Sequence, residues 1–284
     1  MRLELTLIGG ALLSGLILVI VGHKWEIDAR VTLPAACVIG LVSGLCVSGL
    51  VRAYPLRWWY IVGLEVGLSI TCALALLLWR FYRDPERQPP DDDRMILSPA
   101  DGQVIYIKEI EEGQIPLAKK HGRTFSLSEF VKADVLPQGG YLIGIAMNYL
   151  DVHVNRAPIG GRISLLKHIN GLFLSLKHRE AILQNERVLT VIDNGRFKVG
   201  IVQIASRLVR KIVTYFQEGQ EIQGGARIGV IRFGSQVDVL LPHLAALRLQ
   251  VTPGDKVKAG VSIIATLDTR LQEKRPLEKG SKND

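Results

Sequence analysis

Three short segments carry side chains suited to acid–base or nucleophilic chemistry. Asp101 lies in the turn sequence Ser-Pro-Ala-Asp-Gly, His153 lies in a segment dense in polar groups, and Ser235 follows Gly234 between two apolar runs. An aspartate, a histidine and a serine that meet can form a base-activated nucleophile. Each segment also has a structural interpretation, as a turn, a hydrogen-bonded histidine or a hairpin glycine. Composition alone leaves both interpretations open.

The elements that must position these residues are divided unequally along the chain. The 284 residues are 48% hydrophobic and 22% charged, with a mean hydropathy of +0.23, which excludes a disordered protein. Residues 1–79 hold only nine Lys, Arg, Asp and Glu side chains, whereas the whole chain holds 35 basic and 27 acidic residues. All three cysteines lie in this apolar third and form no CxxC pair. A disulfide framework, structural zinc and thiol redox chemistry are therefore not expected.

Three apolar runs near the N-terminus are long enough to cross a bilayer. They are Leu5–Gly22, Val31–Val51 and Trp58–Trp79, and only the last contains a charged residue, Glu65. We predict that residues 1–79 form a membrane anchor of two to three transmembrane helices, the first being marginal in length. The flanking lysines and arginines favour a cytoplasmic location for the rest of the chain. The protein is thus expected to be a multi-pass protein of the cell (inner) membrane.

Beyond the anchor the sequence pattern changes. Residues 80–97 are rich in Pro and Asp and predict an extended connector that is too polar to pack. Residues 98–284 predict a mainly β (α+β) domain, with a helix around residues 174–184. The expected strands are short alternating or β-branched runs, namely Val104–Ile110, Tyr141–Ala146, Val188–Ile192, Phe197–Ile204, Val237–Leu241 and Leu247–Val251.

A pattern of glycines and apolar residues occurs twice in this domain. Gly219, Ile222, Gly225 and Ile228, each separated by two residues, have counterparts in the same spacing at positions 254–263. Both copies predict a turn, an apolar residue, a second turn and a strand, as in the hairpin halves of lipoyl-like domains. Two unrelated hairpins with convergent glycine turns are the simpler alternative.

Five motifs, in order, resemble those of the phosphatidylserine decarboxylase family. The resemblance is to its short prokaryotic, membrane-anchored, pyruvoyl-dependent branch, and it covers residues 81–242. The motifs are FYRDPERQPP, SPADG, MNYLDVHVNRAP, NER and RFGSQVDVLLP. The apolar third matches the family only in character.

The resemblance implies a self-processing proenzyme. The Ser235 hydroxyl is expected to attack the carbonyl of Gly234, so that the chain is cut between these residues into a β chain, 1–234, and an α chain, 235–284. Elimination and hydrolysis would then convert Ser235 into a covalent pyruvoyl group, the only cofactor implied. The two chains are expected to stay together as a heterodimer, with a higher oligomer left open. Neither a metal nor a nucleic-acid partner is expected.

The resemblance also implies the reaction. Through a Schiff base with the pyruvoyl group, phosphatidylserine drawn from the bilayer would lose CO2 and become phosphatidylethanolamine. His153 is expected to act as general base on Ser235, with Asp101 fixing the histidine tautomer and stabilising the imidazolium.

Two positions depart from the family pattern. Arg156 stands where some members carry a second histidine, so a division of work between two histidines does not transfer to this chain. Gln236 follows the serine in place of a more usual threonine or arginine. Two other functions also stay open at this stage. They are an archaetidylserine decarboxylase, which would act on an archaeal ether lipid, and a non-catalytic, membrane-anchored lipoyl-like adaptor.

Overall fold

A computed structural model describes most of the chain. The described residues are 2–24, 28–54, 56–111, 114–116, 124–126, 130–131, 133, 135–136, 138–172, 184–206, 211–232 and 235–268. The chain divides into two compact units, Met1–Arg83 and Asp84–Asp284. The helix expected around residues 174–184 lies outside the described residues, apart from Gln184.

The first unit consists of three helices. They are α1 (Arg2–Lys24), α2 (Ala29–Ala53) and α3 (Trp58–Phe81), and each contains one of the predicted apolar runs. α2 and α3 are long and apolar enough to cross a membrane, whereas the apolar part of α1, Ile8–His23, is shorter. Two candidate spans, and a marginal first one, agree with the prediction.

Among its described side chains, this helical unit buries its serines and Glu65 beside a few apolar residues such as Ile39 and Val47, and it exposes large aliphatic side chains. The Ser69 hydroxyl is 2.6 Å from the hydroxyl of Ser14 and 3.3 Å from that of Ser43, so it links all three helices. Glu65 is only 4% exposed. The exposed side chains on the outer surface are large and aliphatic and include Leu12, Leu16, Ile20, Val38, Leu41, Leu45 and Leu74. This distribution is the reverse of that in a water-soluble bundle.

The second unit is built from short strands. Its described residues form β1 (Met95–Leu97), β2 (Gly102–Ile110), β3 (Gln114–Pro116), β4 (Thr124–Ser126), β5 (Gly140–Met147), β6 (Val154–Arg156), β7 (Gly161–Ile169), β8 (Arg187–Asp193), β9 (Lys198–Ala205), β10 (Ile212–Thr214), β11 (Glu221–Ile222), β12 (Arg227–Ile231), β13 (Ser235–Pro242), β14 (Leu247–Leu249), β15 (Lys256–Val257) and β16 (Ile263–Leu267). Each of the six predicted strands overlaps one of these, so the mainly β prediction is confirmed.

The largest sheet has eight strands in the order β11-β7-β8-β9-β13-β5-β2-β15. Both of its faces are buried. Val237 and Val239 of β13 belong to one apolar cluster, and Leu240 belongs to a second. Successive side chains of a strand point to opposite faces, so β13 contributes to both clusters. A strand buried on both sides has an almost continuous apolar sequence.

The two copies of the glycine pattern have the same layout. In each copy a glycine with positive φ precedes a two-residue strand, and a second such glycine precedes a five-residue strand. The short strands β11 and β15 occupy the two opposite edges of the large sheet. The repeat is therefore an architectural one, and its two short strands complete the large sheet at both edges. The five-residue strands β12 and β16 pair within two smaller sheets, so the expected hairpins are not formed.

Residues 83–90 form no regular secondary structure, but the connector packs against the sheet-containing unit. Arg227 of β12 binds Asp84 at 2.5 Å and Glu86 at 2.6 Å. Arg87 forms a buried pair with Asp101. The prediction that the connector is too polar to pack is wrong, because charged residues of the domain neutralise its side chains.

Gly102 is expected to be indispensable for the start of β2. Its φ is +149°, and a Cβ atom there would collide with the carbonyl oxygen of Ala146. Gly102→Ala should therefore lower the free energy of unfolding by about 3 kcal/mol. Gly195→Ala is the matched control, because its φ is +81° but no atom lies within 4 Å of the added Cβ. It should cost about 1 kcal/mol from backbone strain alone. Equal losses in the two variants, measured by thermal unfolding, would contradict this account.

Candidate active site

Ser235 begins a strand in the middle of the large sheet. It pairs with Met147 at the end of β5 and with Ala205 at the end of β9. β12 ends at Ile231, so three residues separate β12 from β13. Phe233, Gly234 and the Ser235 side chain lie outside the description. The backbone of Ser235 therefore lies where the buried strands β5 and β9 end.

The backbone brings His153 to the same end of the fold. The His153 carbonyl accepts a hydrogen bond from the amide of Ile231 at 3.2 Å. The strand that follows it, β6, continues this pairing with β12. His153 is thus held beside the chain three residues ahead of Gly234, and its side chain is buried.

The tautomer of His153 is set by a backbone carbonyl. Its Nδ1 lies 2.9 Å from the carbonyl oxygen of Asp151. A carbonyl can only accept, so Nδ1 carries the hydrogen and Nε2 holds the lone pair. Burial lowers the pKa of His153 to about 4, although the bond to Asp151 and the charge of Asp101 act in the opposite direction. At neutral pH the imidazole is uncharged and can accept a proton at Nε2.

Asp101 acts on His153 through its charge. Arg87 binds both carboxylate oxygens, with Nη1 2.5 Å from Oδ1 and Nη2 2.8 Å from Oδ2, and the Ala259 amide donates to Oδ1 at 2.8 Å. The negative charge of Asp101 raises the pKa of His153 and so favours the imidazolium. The expectation that Asp101 fixes the tautomer differs from the geometry, because the carbonyl of Asp151 occupies Nδ1.

Two buried amides near Ser235 were not singled out from the sequence. Gln203 Nε2 donates to Asn155 Oδ1 at 2.8 Å, and Asn155 Nδ2 lies 3.9 Å from the sulfur of Met147, the residue paired with Ser235. Gln203 Oε1 is buried and has no hydrogen-bond partner in the structure as described. The signal for Gln203 was available in the sequence, since it is a polar residue inside the apolar run Phe197–Ile204.

Comparison with known proteins identifies the family. A family model described as phosphatidylserine decarboxylase matches residues 74–265, which is more than half of the chain. The chain belongs to the phosphatidylserine decarboxylase family. This membership argues against the non-catalytic adaptor.

Several relatives are similar over most of their length. A protein of Methanocaldococcus jannaschii, provisionally named an archaetidylserine decarboxylase proenzyme, is 43% identical over 198 residues, covering 70% of this chain and 93% of its own. A Methanothermobacter thermautotrophicus protein with the same provisional name is 36% identical, covering 70% and 84%. The phosphatidylserine decarboxylase proenzyme of Pelodictyon phaeoclathratiforme is 34% identical, covering 78% and 91%.

Arg156, which replaces the second histidine of some family members, has a structural environment. It is buried, and its Nη1 and Nη2 donate to the carbonyls of Gly225 and Pro85, both at 3.0 Å. Arg156 therefore links the connector at Pro85 to the turn at Gly225. With arginine at position 156, His153 is the single histidine of the motif.

The NER motif of the family supports the end of β9. Asn185 Nδ2 donates to the carbonyl of Ala205 at 2.9 Å, and Ala205 pairs with Ser235. Arg187 donates to the carbonyls of Asn185 and Phe130. The motif thus holds the backbone next to the site rather than supplying an acid or base.

Replacing Arg87 with Gln is expected to raise the pKa of His153 above its value of about 4. The guanidinium neutralises the Asp101 carboxylate, and without it that charge favours the imidazolium more strongly. The measurement is an NMR titration of the His153 imidazole in the purified protein. Arg94→Gln, which breaks an exposed pair with Asp92, is the control and should leave the titration unchanged. An unaltered His153 pKa in Arg87→Gln would refute the electrostatic link.

Proposed function

We propose that this chain is a self-processing, pyruvoyl-dependent phosphatidylserine decarboxylase that forms phosphatidylethanolamine and CO2. The observation that carries the proposal is the placement of a buried, neutral His153 beside the end of β12, where the chain leads into Ser235. The general base would come from the residue ahead of β6, which pairs with β12, and the hydroxyl nucleophile from the first residue of β13, which follows β12 in the chain.

The first processing step needs no group from outside the chain. His153 Nε2 accepts the proton of the Ser235 hydroxyl while the oxygen attacks the carbonyl carbon of Gly234. The bond between that carbon and the Ser235 nitrogen breaks, the proton passes to the nitrogen, and an ester replaces the amide. The charge of Asp101 favours the transient imidazolium. Elimination then removes the Cα proton of residue 235 and breaks its Cβ–O bond, so that the β chain leaves with the carboxylate of Gly234. Water hydrolyses the resulting enamine, releasing ammonia and leaving a ketone at position 235.

The described residues around position 235 fit a pyruvoyl group. Asn155 and Gln203 are buried, uncharged amides: Gln203 Nε2 holds Asn155 by its Oδ1, and Asn155 Nδ2, beside the weakly accepting sulfur of Met147, could donate to a carbonyl oxygen of the group. These amides would hold the group without placing a charge beside it. When formed, a pyruvoyl ketone supplies an electron sink for the loss of CO2 from an amino acid headgroup. His153, and not Asp101, would take up a proton during the reaction, hold it at Nε2 and later return it.

The pairing of β13 supports the proposal that both chains stay together after the cut. All residues of β13 pair with β5, and its first six pair with β9. Both neighbours precede the proposed cut, whereas β13 follows it. The β chain, 1–234, and the α chain, 235–284, would therefore share one sheet as a heterodimer.

The helical unit supports a proposed location in the cell (inner) membrane. Its outer surface is aliphatic while its serines and Glu65 are buried, as expected for helices surrounded by lipid. The phospholipid substrate stays in the bilayer, so an anchored enzyme can reach it. We assign the polar unit to the cytoplasmic side from the flanking basic residues.

Archaetidylserine is the second candidate substrate, because two of the similar proteins carry that name. Both lipids present the same serine headgroup, and they differ in the linkage and chirality of their apolar chains. The described site residues act on the headgroup.

Wild-type protein is expected to give two chains, the smaller having the 50 residues from position 235. Its N-terminus should be blocked and have the mass of a pyruvoyl group by mass spectrometry. Ser235→Ala should remain a single chain of 284 residues without decarboxylase activity, because the nucleophilic oxygen is gone. An uncut wild-type chain that has decarboxylase activity would refute the proposal.

His153→Gln should slow the conversion to two chains by at least about 100-fold, as expected when a general base is lost. Conversion is followed by gel electrophoresis after synthesis of the unprocessed chain. His243→Gln is the matched control, since His243 is exposed and contacts Tyr141 and Glu109. If both variants mature at the wild-type rate, His153 is not the base.

Purified protein in mixed vesicles should release CO2 from phosphatidylserine, because the described site residues would act on the serine headgroup, and the same assay with archaetidylserine compares the two candidate substrates by kcat/KM. Phosphatidylcholine vesicles provide the blank. A preference for the ether lipid would assign the second candidate substrate while leaving the self-processing chemistry intact.

A further inference from the structure

One buried acid has no part in the chemistry described above. Asp238 of β13 is fully buried, three residues after Ser235. It shares a sheet face with Leu240, whereas Met147 packs with Val237 and Val239 on the other face. Asp238 therefore points away from the layer that holds Met147, and a buried carboxylate there requires another explanation.

Asp238 belongs to a closed triangle of hydrogen bonds. Tyr106 Oη donates to Asp238 Oδ2 at 2.7 Å. Gln236 Nε2 lies 2.6 Å from Asp238 Oδ1 and 2.6 Å from Tyr106 Oη, and it can donate to both. Burial raises the pKa of Asp238 to about 6, while these two bonds and the charge of Lys108 oppose the rise. At neutral pH the carboxylate is the acceptor at the centre of the triangle.

The triangle connects strands that are not neighbours. Tyr106 lies on β2, and β5 runs between β2 and β13. Gly144 of β5 pairs with Tyr106 on one side and with Asp238 on the other. A Cβ atom at Gly144 would collide with the Tyr106 ring. The missing side chain at position 144 is therefore what lets the tyrosine reach across β5 to the acid.

The proposed cut gives this connection a purpose. Tyr106 and Gly144 precede the cut, whereas Gln236 and Asp238 follow it. Cutting makes residue 235 the end of a chain, and chain ends fray. The backbone ladder alone tolerates a shift of register, because each strand can form the same hydrogen bonds two residues along. The triangle does not tolerate such a shift, because a shifted strand would bury Asp238 away from its hydrogen-bond partners.

We infer that the hydrogen bonds among Tyr106, Gln236 and Asp238 keep β13, the first strand of the new chain, in register after cleavage. This inference rests on the proposed function. The triangle holds residue 235 against Met147 and Ala205, at the end of the fold where His153 lies. The inference also gives Gln236, unusual at this position, a definite role as the donor that joins both partners.

The test compares Tyr106→Phe in the mature protein and in an uncut Ser235→Ala chain. Tyr106→Phe removes the hydroxyl and keeps the ring. In the mature protein, hydrogen exchange at residues 236–238 should become at least about tenfold faster than in the wild type, and kcat should fall by a similar factor with KM little changed. In the uncut chain the exchange should change by less than about twofold, because the peptide bond still holds the strand.

Tyr141→Phe is the matched control. It removes a hydroxyl from β5 opposite Leu241, near the far end of β13, where the contact is to His243. It should alter neither measurement. Gly144→Ala should displace the Tyr106 ring and thereby break its hydrogen bond to Asp238, so it should have the same effects as Tyr106→Phe.

Three outcomes would overturn the inference. They are equal acceleration of exchange in the cut and uncut forms, no acceleration in either form, and a failure of Tyr106→Phe to be cut at all. Each leaves the proposed function in place, provided that the wild type is still cut and Ser235→Ala is not. Failure of the wild type itself to be cut would instead refute the proposed function.

Discussion

The pairing of β13 between β5 and β9 determines where nearly every functional group lies. It sets Ser235 opposite Met147 and Ala205, and it brings the chain from β12 back into the sheet beside His153. Because β13 is buried on both faces, the strand is held by side chains as well as by its ladder. A peptide bond at the end of such a strand can be broken without releasing either side.

Around this strand the domain separates acid–base chemistry from neutral polar contacts. His153 is uncharged at neutral pH because burial lowers its pKa. Asp101, the carboxylate whose charge raises that pKa, is itself bound by Arg87. Asn155 and Gln203 add polarity without charge. A base kept neutral can take a proton from a hydroxyl, and a nearby bound carboxylate can favour the resulting cation without taking the proton itself.

The sequence was sufficient for the strands, whereas the roles of Asp101, His153 and Ser235 stay predictions. Alternation of apolar side chains is a local property, so the runs from Val104 and from Val237 could be recognised without knowing their neighbours. Contacts made at a distance could not be recognised in this way. The bond of His153 is to the carbonyl of Asp151, and a carbonyl has no side-chain signature.

The connector shows the same limit for charged residues. Its proline and aspartate content predicted a segment that does not pack, but composition does not reveal which residue a charge will meet. Arg87 reaches Asp101 and Asp84 reaches Arg227, so charges that suggested a solvated tether instead attach it to the domain. Likewise, the role of Gly144 emerges only when Tyr106 is seen crossing over it.

The central location of β13 also changes the molecularity of unfolding. The uncut chain unfolds and refolds as one molecule, so its stability does not depend on concentration. If the bond ahead of Ser235 is cut as proposed, unfolding would separate a 50-residue piece, too short to bury a core of its own, from a larger piece that lacks a middle strand. Reassembly then becomes a second-order reaction. The mature form would be preserved by slow dissociation and not by its ability to refold.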